Sequence, residues 1–486
     1  MLQELKKEAN YTYTENGALT YGSTMNHCLD LFATIGGMRR AESKEIITRF
    51  IKAYVENPDV AMRILFYARD IRGGLGERRV FRIILKYLCK AHASTVQKNL
   101  RWIVEMGRFD DLLVLMDTPC EKMAIDLLKE QLDKDTETLL ADGESISLLA
   151  KWLPSVNTSN AEQVRLARKL AKAFGMTERE YRKILSALRR KINIIENHLR
   201  ELDYSFDYSK QPGKAMLKYR AAFLRHDGKR YQSFLDQVNC GEATLHTNTL
   251  MPYEIIRPLY TYEGMRGDTR ALDTTWNAME DYAGNQNSLV VVDGSGSMYG
   301  VGDPAPILIA HSLGLYFAEK NKGAFGGHFI TFSETPQLVE VKGNSLAEKV
   351  EYMKTFCEVA NTNLSAVFEL ILNTAVKNNI PQDELPERII IVSDMEFDSC
   401  ARGAQITNFE YAKRMFEAAG YALPKVVFWN VASRKLQLPV TCNEQGVTLV
   451  SGCSAKLFEQ VMADATNPFA YMMEIINSER YEQIVA

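Results

Sequence analysis

Ser288-Leu289-Val290-Val291-Val292-Asp293-Gly294-Ser295-Gly296-Ser297-Met298 is the stretch that decides the fold. Its apolar, mostly β-branched run predicts a buried strand of a parallel sheet. The run ends in an acid, and two serines follow at alternate positions with glycines between them. A hard divalent cation such as Mg²⁺ takes oxygen ligands and usually keeps some of its waters. Asp293 supplies charge here, and Ser295 and Ser297 supply neutral hydroxyls. The glycines permit the tight backbone that brings both hydroxyls to one spot.

Two partners follow downstream. Thr362 lies in Ala360-Asn361-Thr362-Asn363, just ahead of an apolar helical stretch at Ala366, Val367, Leu370 and Ile371. Asp394 ends a second buried run, Arg388-Ile389-Ile390-Ile391-Val392-Ser393-Asp394. In an open α/β sheet, ligands collect beyond the carboxyl ends of the strands, so Asp293, Ser295, Ser297, Thr362 and Asp394 are expected to converge there.

This three-part pattern resembles a von Willebrand factor A domain with a metal-ion-dependent adhesion site, over about residues 285–454. The resemblance implies a Rossmann-like sheet and a divalent cation, Mg²⁺ first. It implies direct ligation by Ser295, Ser297 and Thr362, contact through water for Asp293 and Asp394, and a sixth position open to an acidic group from a protein partner. Ala360-Asn361 stand where that family often has glycines, which bears on the Thr362 loop but leaves the ligand in place. The competing reading is a strand-to-helix turn that binds nothing. Glu396 and Asp398 follow Asp394 at alternate positions, so a nuclease-like carboxylate site is a further alternative. No lysine or histidine is spaced beside them, and two surface acids on a loop is the preferred reading.

A chain of 486 residues is too long for one ordinary core and predicts two or three domains. At 46% hydrophobic and 24% charged, its composition is that of a globular protein. A net charge of -3 argues against a uniformly basic coat but allows a local basic face. The eight cysteines form no C-x-x-C pair, which suits reduced thiols in a cytoplasmic protein and not a disulfide frame or zinc site. Met1 to Lys7 carries no apolar signal core, and no run is long enough to span a bilayer. The expectation is a cytoplasmic location, no membrane, and no extracellular adhesion role.

Residues 14–284 read as helix after helix, all-helical and of the solenoid, HEAT-like type, although no fixed-period repeat stands out. Asn57-Pro58 is a helix start, followed by Ala61, Ile64, Leu65 and Ala68 on one face. The loop Ile71 to Arg82 sets Gly73, Gly74 and Gly76 beside Arg72, Arg78 and Arg79; it lacks a Walker ending and reads first as an inter-helix turn, second as a phosphate cradle. Basic residues then accumulate at Arg165, Arg168, Lys169, Lys172, Arg182, Lys183, Arg189, Arg190, Lys191, Lys214, Lys218 and Arg225. Tyr181, Tyr204, Tyr208, Tyr219, Phe223, Tyr231 and Phe234 are interleaved with them. Cations over phosphates with rings free to stack is how RNA is held, and solvated helix faces are the bland alternative. His226-Asp227 reads as a helix end. The segment 455–486, with Phe458, Val461, Phe469, Met472 and Ile476, reads as helices packing back on the body.

A partly basic helical front followed by an adhesion-type metal domain resembles the Ro autoantigen and its bacterial relatives, the TROVE-domain proteins. A second resemblance, to an uncharacterised family of bacteria, viruses and some eukaryotes, is carried by Thr14-Glu15-Asn16-Gly17-Ala18, Arg69-Asp70-Ile71-Arg72-Gly73-Gly74, Lys151-Trp152-Leu153-Pro154 and Ala222-Phe223-Leu224-Arg225-His226-Asp227. The Ro-type layout implies a non-enzymatic protein that binds small non-coding or misfolded RNA on its basic helical surface. The alternative is a metal-dependent protein scaffold without RNA.

Overall fold

The computed structural model describes every residue except 2–4, 6–7, 144, 193, 262–267, 286, 301–302, 357–361, 400–405 and 463–464. Ala360-Asn361, Cys357 and Cys400 therefore lie outside the described residues.

The two apolar runs form the central strands. β3 (Ser288–Asp293) and β6 (Arg388–Ser393) lie side by side in parallel, each buried along its whole length. β4 (His328–Phe332) flanks β3, and β7 (Lys425–Asn430) and β8 (Val447–Ser451) continue beyond β6. Only the short edge strand β5 (Leu338–Glu340) runs antiparallel, giving the order β5-β4-β3-β6-β7-β8. The order reverses direction between β3 and β6, which opens a crevice at their carboxyl ends.

Alternation along β3 sorts the two faces. Leu289 and Val291 join a cluster with Val367 and Phe368 of the helix Leu364–Asn378 and Phe409 and Phe416 of the helix Asn408–Ala418. Val290 and Val292 join the opposite cluster, with the helix Pro306–Lys320. Gly314 lets that helix lie close: a β-carbon there would sit 2.3 Å from Val292 Cγ2.

The described residues between His27 and Asn277 form helices joined by turns, preceded by one hairpin, β1 (Tyr11–Tyr13) with β2 (Leu19–Tyr21). Asn57 caps the helix Pro58–Arg69 with proline in its first turn, and Thr177 with Glu180 closes a capping box on the helix Glu178–Lys191. The end expected at His226-Asp227 is a kink at Asp227 within the helix Gly213–Asn239.

The apolar core runs across the sequence junction near 284–285 without a break. The helix His27–Ile35 packs on β8, where the Gly36 amide donates to Ser451 Oγ at 2.9 Å. At the far end of the front, Tyr260 meets His311 and the Trp276 indole donates to Glu319. The last residues return to the front: the helix Pro468–Ile476 lies on the helices His27–Ile35 and Pro58–Arg69, and Arg480 and Tyr481 both bond to the buried Asp70 carboxylate. Among the described residues no helix is long and apolar enough to cross a membrane.

Candidate metal centre and basic face

β3 delivers Asp293 to the crevice, and the turn after it folds back on the acid. The Ser295 amide donates to Asp293 Oδ1 at 2.9 Å, and the Ser295 and Ser297 hydroxyls stand 3.0 Å apart. The Ser393 hydroxyl, at the end of β6, donates to Asp293 Oδ2. Next to it Met395 takes a left-handed backbone at φ 67°, turning the chain so that the Glu396 amide donates to Asp394 Oδ1 at 3.2 Å. Thr362, fully buried, lies across the crevice; its hydroxyl donates to the Glu396 carbonyl at 2.9 Å and lies 3.3 Å from Asp398 Oδ1. The crevice thus gathers the Ser295, Ser297 and Ser393 hydroxyls about Asp293 and Asp394, while the Thr362 hydroxyl is engaged by Asn16, Glu396 and Asp398.

The electrostatics fit a cation. Burial pushes the Asp293 carboxyl above its ordinary range. Burial, and then the neighbouring Asp293 charge, pushes Asp394 up to about 7. Asp394 Oδ2 is buried and accepts no hydrogen bond; Arg434 Nη1 lies 3.7 Å from it. A buried, unsatisfied carboxylate oxygen is costly, and a divalent ion with oxygen ligands would satisfy it. No group of three or more His, Cys, Asp or Glu among the described residues could hold a metal, so any ion here relies on the hydroxyls.

Sequence reading missed the cover over this crevice. Thr14 to Ala18 is the turn of the β1–β2 hairpin, with Gly17 at φ 84°. Asn16 Nδ2 donates to Thr362 Oγ1 at 2.8 Å and to the Glu396 carbonyl at 2.7 Å. The Thr14 hydroxyl donates to the Phe397 carbonyl at 2.6 Å. Glu396 corrects the expectation of two surface acids. It is 1% exposed, and its carboxylate accepts from the Glu15 amide and from Gln437 Nε2, each at 2.7 Å. The signal available was Asn16-Gly17 between two short β-prone runs, a hairpin dipeptide.

The basic residues divide by what they touch. Arg182, Lys183 and Arg190 are exposed, make no ion pair among the described residues, and with Arg189 and Arg200 line a cavity of about 700 Å³. Among the described residues no carboxylate lines that cavity; Ser155, Asn157, Ser186 and Asn197 supply its neutral polar groups. A second cleft, also about 700 Å³, shares Ile194 with it and carries Lys151, Lys210, Lys214 and Lys218, along with Glu196 and Asp207. Lys172, Arg78 and Arg225 are exposed elsewhere.

Other cations are held by the protein itself. Arg189 donates to the carbonyls of Ala150 and Leu153 and to Ser155 Oγ, each at 2.7 Å, clamping the Lys151-Trp152-Leu153-Pro154 turn. Arg165 and Lys169 converge on Asp117, Arg168 pairs with Glu178, Lys191 with Asp142 and Lys214 with Glu254. Arg79 donates to the carbonyls of Arg39 and Ala41, and Arg72 to that of Glu105. The glycine loop wraps the Asp70 carboxylate, which accepts from the Arg72 amide at 3.0 Å. Gly74 has no room for a side chain, since a β-carbon would lie 2.0 Å from the Tyr67 carbonyl oxygen.

The interleaved aromatics are corrected as well. Tyr208, Phe223, Tyr231 and Phe234 are buried against one another, and Tyr181 is buried with its hydroxyl donating to the Pro154 carbonyl. Their spacing serves a core beneath the basic surface. Tyr219 remains partly open, with Lys218 Nζ 4.7 Å from its ring centre.

A helical front built onto a mostly parallel sheet, with hydroxyls and acids gathered at the sheet's crevice, is the class these features define. The chain belongs to the family described as domain of unknown function DUF2828, which it matches over residues 14–117 and 122–291. Residues 287–482 match a second domain of unknown function, DUF7788. The uncharacterized protein L728 of Acanthamoeba polyphaga mimivirus is 31% identical over 510 residues, covering 96% of this chain and 87% of that one. Among solved structures, the Deinococcus radiodurans RO (RSR) protein aligns over 93% of this chain and 99% of its own, at 12% identity and a TM-score of 0.38.

Proposed function

We propose that this is a cytosolic, non-catalytic RNA-binding protein of Ro-like type, which holds structured or misfolded small RNA on its helical front. The observation that carries the reading is the cavity walled by Arg182, Lys183, Arg189, Arg190 and Arg200 with no carboxylate in its lining. In a chain of net charge -3, the exposed Arg182, Lys183 and Arg190, which make no ion pair among the described residues, form a local basic feature that a polyanion would use, while Arg200 pairs with Glu201. Lys218 extends the basic surface into the adjoining cleft, and the partly open Tyr219 offers a ring for a base.

The crevice of the sheet is the divalent-metal site of a von Willebrand factor A-type domain. Ser295, Ser297 and Thr362 would ligate Mg²⁺ directly, with Asp293 and Asp394 acting through water. The bound ion would supply a fixed positive charge for an acidic oxygen. A nuclease built on Asp394, Glu396 and Asp398 is disfavoured because the Glu396 carboxylate is already engaged by Glu15 and Gln437.

Fluorescence anisotropy with a labelled stem-loop RNA at increasing salt tests the RNA reading. The expected affinity falls steeply with salt, and Arg182→Glu/Lys183→Glu/Arg190→Glu weakens it more than tenfold with the fold intact. Equal affinity in that variant, or no binding at low salt, would sink the reading and favour a metal-dependent protein scaffold.

A further inference from the structure

An adhesion-type metal site leaves one position for an acid from a partner molecule. Here an acid of the same chain faces the crevice. Glu15 shares a cleft of about 550 Å³ with Gly296, Ser297 and Arg434. Its backbone is pinned from three sides. The Glu15 amide donates to Glu396 at 2.7 Å, Thr14 before it is bonded to the Phe397 carbonyl, and Asn16 after it is bonded to Thr362, itself a candidate ligand.

The Glu15 carboxylate pairs with Arg434 at 2.6 Å, and the other end of that guanidinium lies 3.7 Å from Asp394 Oδ2. Arg434 therefore stands between two carboxylates, one from the hairpin and one from the sheet. A cation seated on the hydroxyls would neutralise the same two groups. The buried Asp394 Oδ2 accepts no hydrogen bond, and its ion-pair neighbour Arg434 stays 3.7 Å away, beyond hydrogen-bond distance; this is the independent sign that the position is built for a closer positive charge.

We propose that the metal centre is closed in cis. Glu15 supplies the acidic group that completes it, Arg434 holds that carboxylate in place when the ion is absent, and metal loading fastens the N-terminal hairpin to the sheet. This rests on the crevice being a metal site, and it removes the need for an acidic partner there.

Titration of the full-length chain with Mn²⁺, followed by the loss of the free-ion electron paramagnetic resonance signal, tests it. Asp293→Ala serves as the site-null control, and melting temperatures without metal show that each variant is folded. The wild type is expected to bind one ion that Asp293→Ala loses. Glu15→Gln should bind it at least tenfold more weakly. Hydrogen exchange at residues 14–18 should slow on adding Mg²⁺ in the wild type only. Equal affinity in Glu15→Gln, with exchange at residues 14–18 indifferent to Mg²⁺, would overturn closure in cis while the metal site stands. No Mn²⁺ bound by the wild type would overturn the metal reading and this one with it. If Glu15→Gln melts early without metal, Glu15→Ser replaces it as the variant without a carboxylate, and wild-type affinity there together with unchanged exchange overturns the proposal.

Discussion

The Asn16 side chain donates to the Thr362 hydroxyl at 2.8 Å across 346 positions of sequence. The same amide reaches the Glu396 carbonyl at 2.7 Å, so one side chain ties the hairpin to two loops of the crevice. Asn16→Ala removes both bonds and is expected to cost about 1–2 kcal/mol. Urea unfolding measures this; an unchanged midpoint would show that the hairpin turn is not held by Asn16.

Arg189 and its neighbours on the same helix should behave oppositely. Arg189→Ala takes three acceptors' donor away from a half-buried turn and should cost about 2–4 kcal/mol. Arg182→Glu, Lys183→Glu and Arg190→Glu, all exposed, should each stay within about 0.5 kcal/mol of the wild type. Thermal melts of the four variants, set beside their RNA affinities, separate the clamp from the contact surface.

Asp70 is the anchor of the C-terminal return. Its buried carboxylate accepts from Arg480, Tyr481 and the Arg72 amide. Asp70→Asn leaves those donors poorly matched. Because Arg480 keeps a side-chain exposure of 37%, part of its charge can be hydrated and the expected loss is about 2 kcal/mol. Limited proteolysis should then release residues 477–486 first; resistance equal to the wild type would exclude the anchor.

His311 gives the fold a dependence on pH. It is buried against Tyr260, and burial, then the charge of Lys354, lowers its pKa to about 4. A base held neutral in the fold binds fewer protons than the unfolded chain between about 4 and its ordinary value near 6.5. Its contribution is therefore complete above pH 6.5, falls as the pH drops through that window, and is lost by about pH 4. The total is up to roughly 3 kcal/mol. His311→Gln should flatten the difference in unfolding free energy between pH 7 and pH 5, and an unchanged slope would assign it to other groups.

What could be read ahead of the structure follows the range of the interactions. β3 and β6 were legible because a fully buried strand writes itself as an unbroken apolar run, and the acids and hydroxyls at their ends follow from where the runs stop. Asn57-Pro58 was legible because a cap is local. Glu396 was misjudged because its partners, Glu15 and Gln437, are 381 and 41 positions away. The pairing of Arg165 and Lys169 with Asp117 spans 48 and 52 positions, and no helical periodicity reveals it. Aromatic residues at helical spacing look alike whether they stack on bases or, as Tyr208 and Phe223 do, on each other.

The helix His27–Ile35 lies along β8, the last strand of the sheet and one of its two edges. An uncovered edge invites pairing with a second chain; the opposite edge, β5, is protected by being three residues long. The guard on β8 is synthesised more than 400 residues before the strand it protects, as the separation of Ser451 from Phe32 by 419 positions shows. During translation this edge strand is made last, when the helix His27–Ile35 that packs on it has already left the ribosome. Expressed without the front, the sheet would lose the helix His27–Ile35 from β8 and is expected to aggregate more readily, which light scattering on residues 285–486 would report.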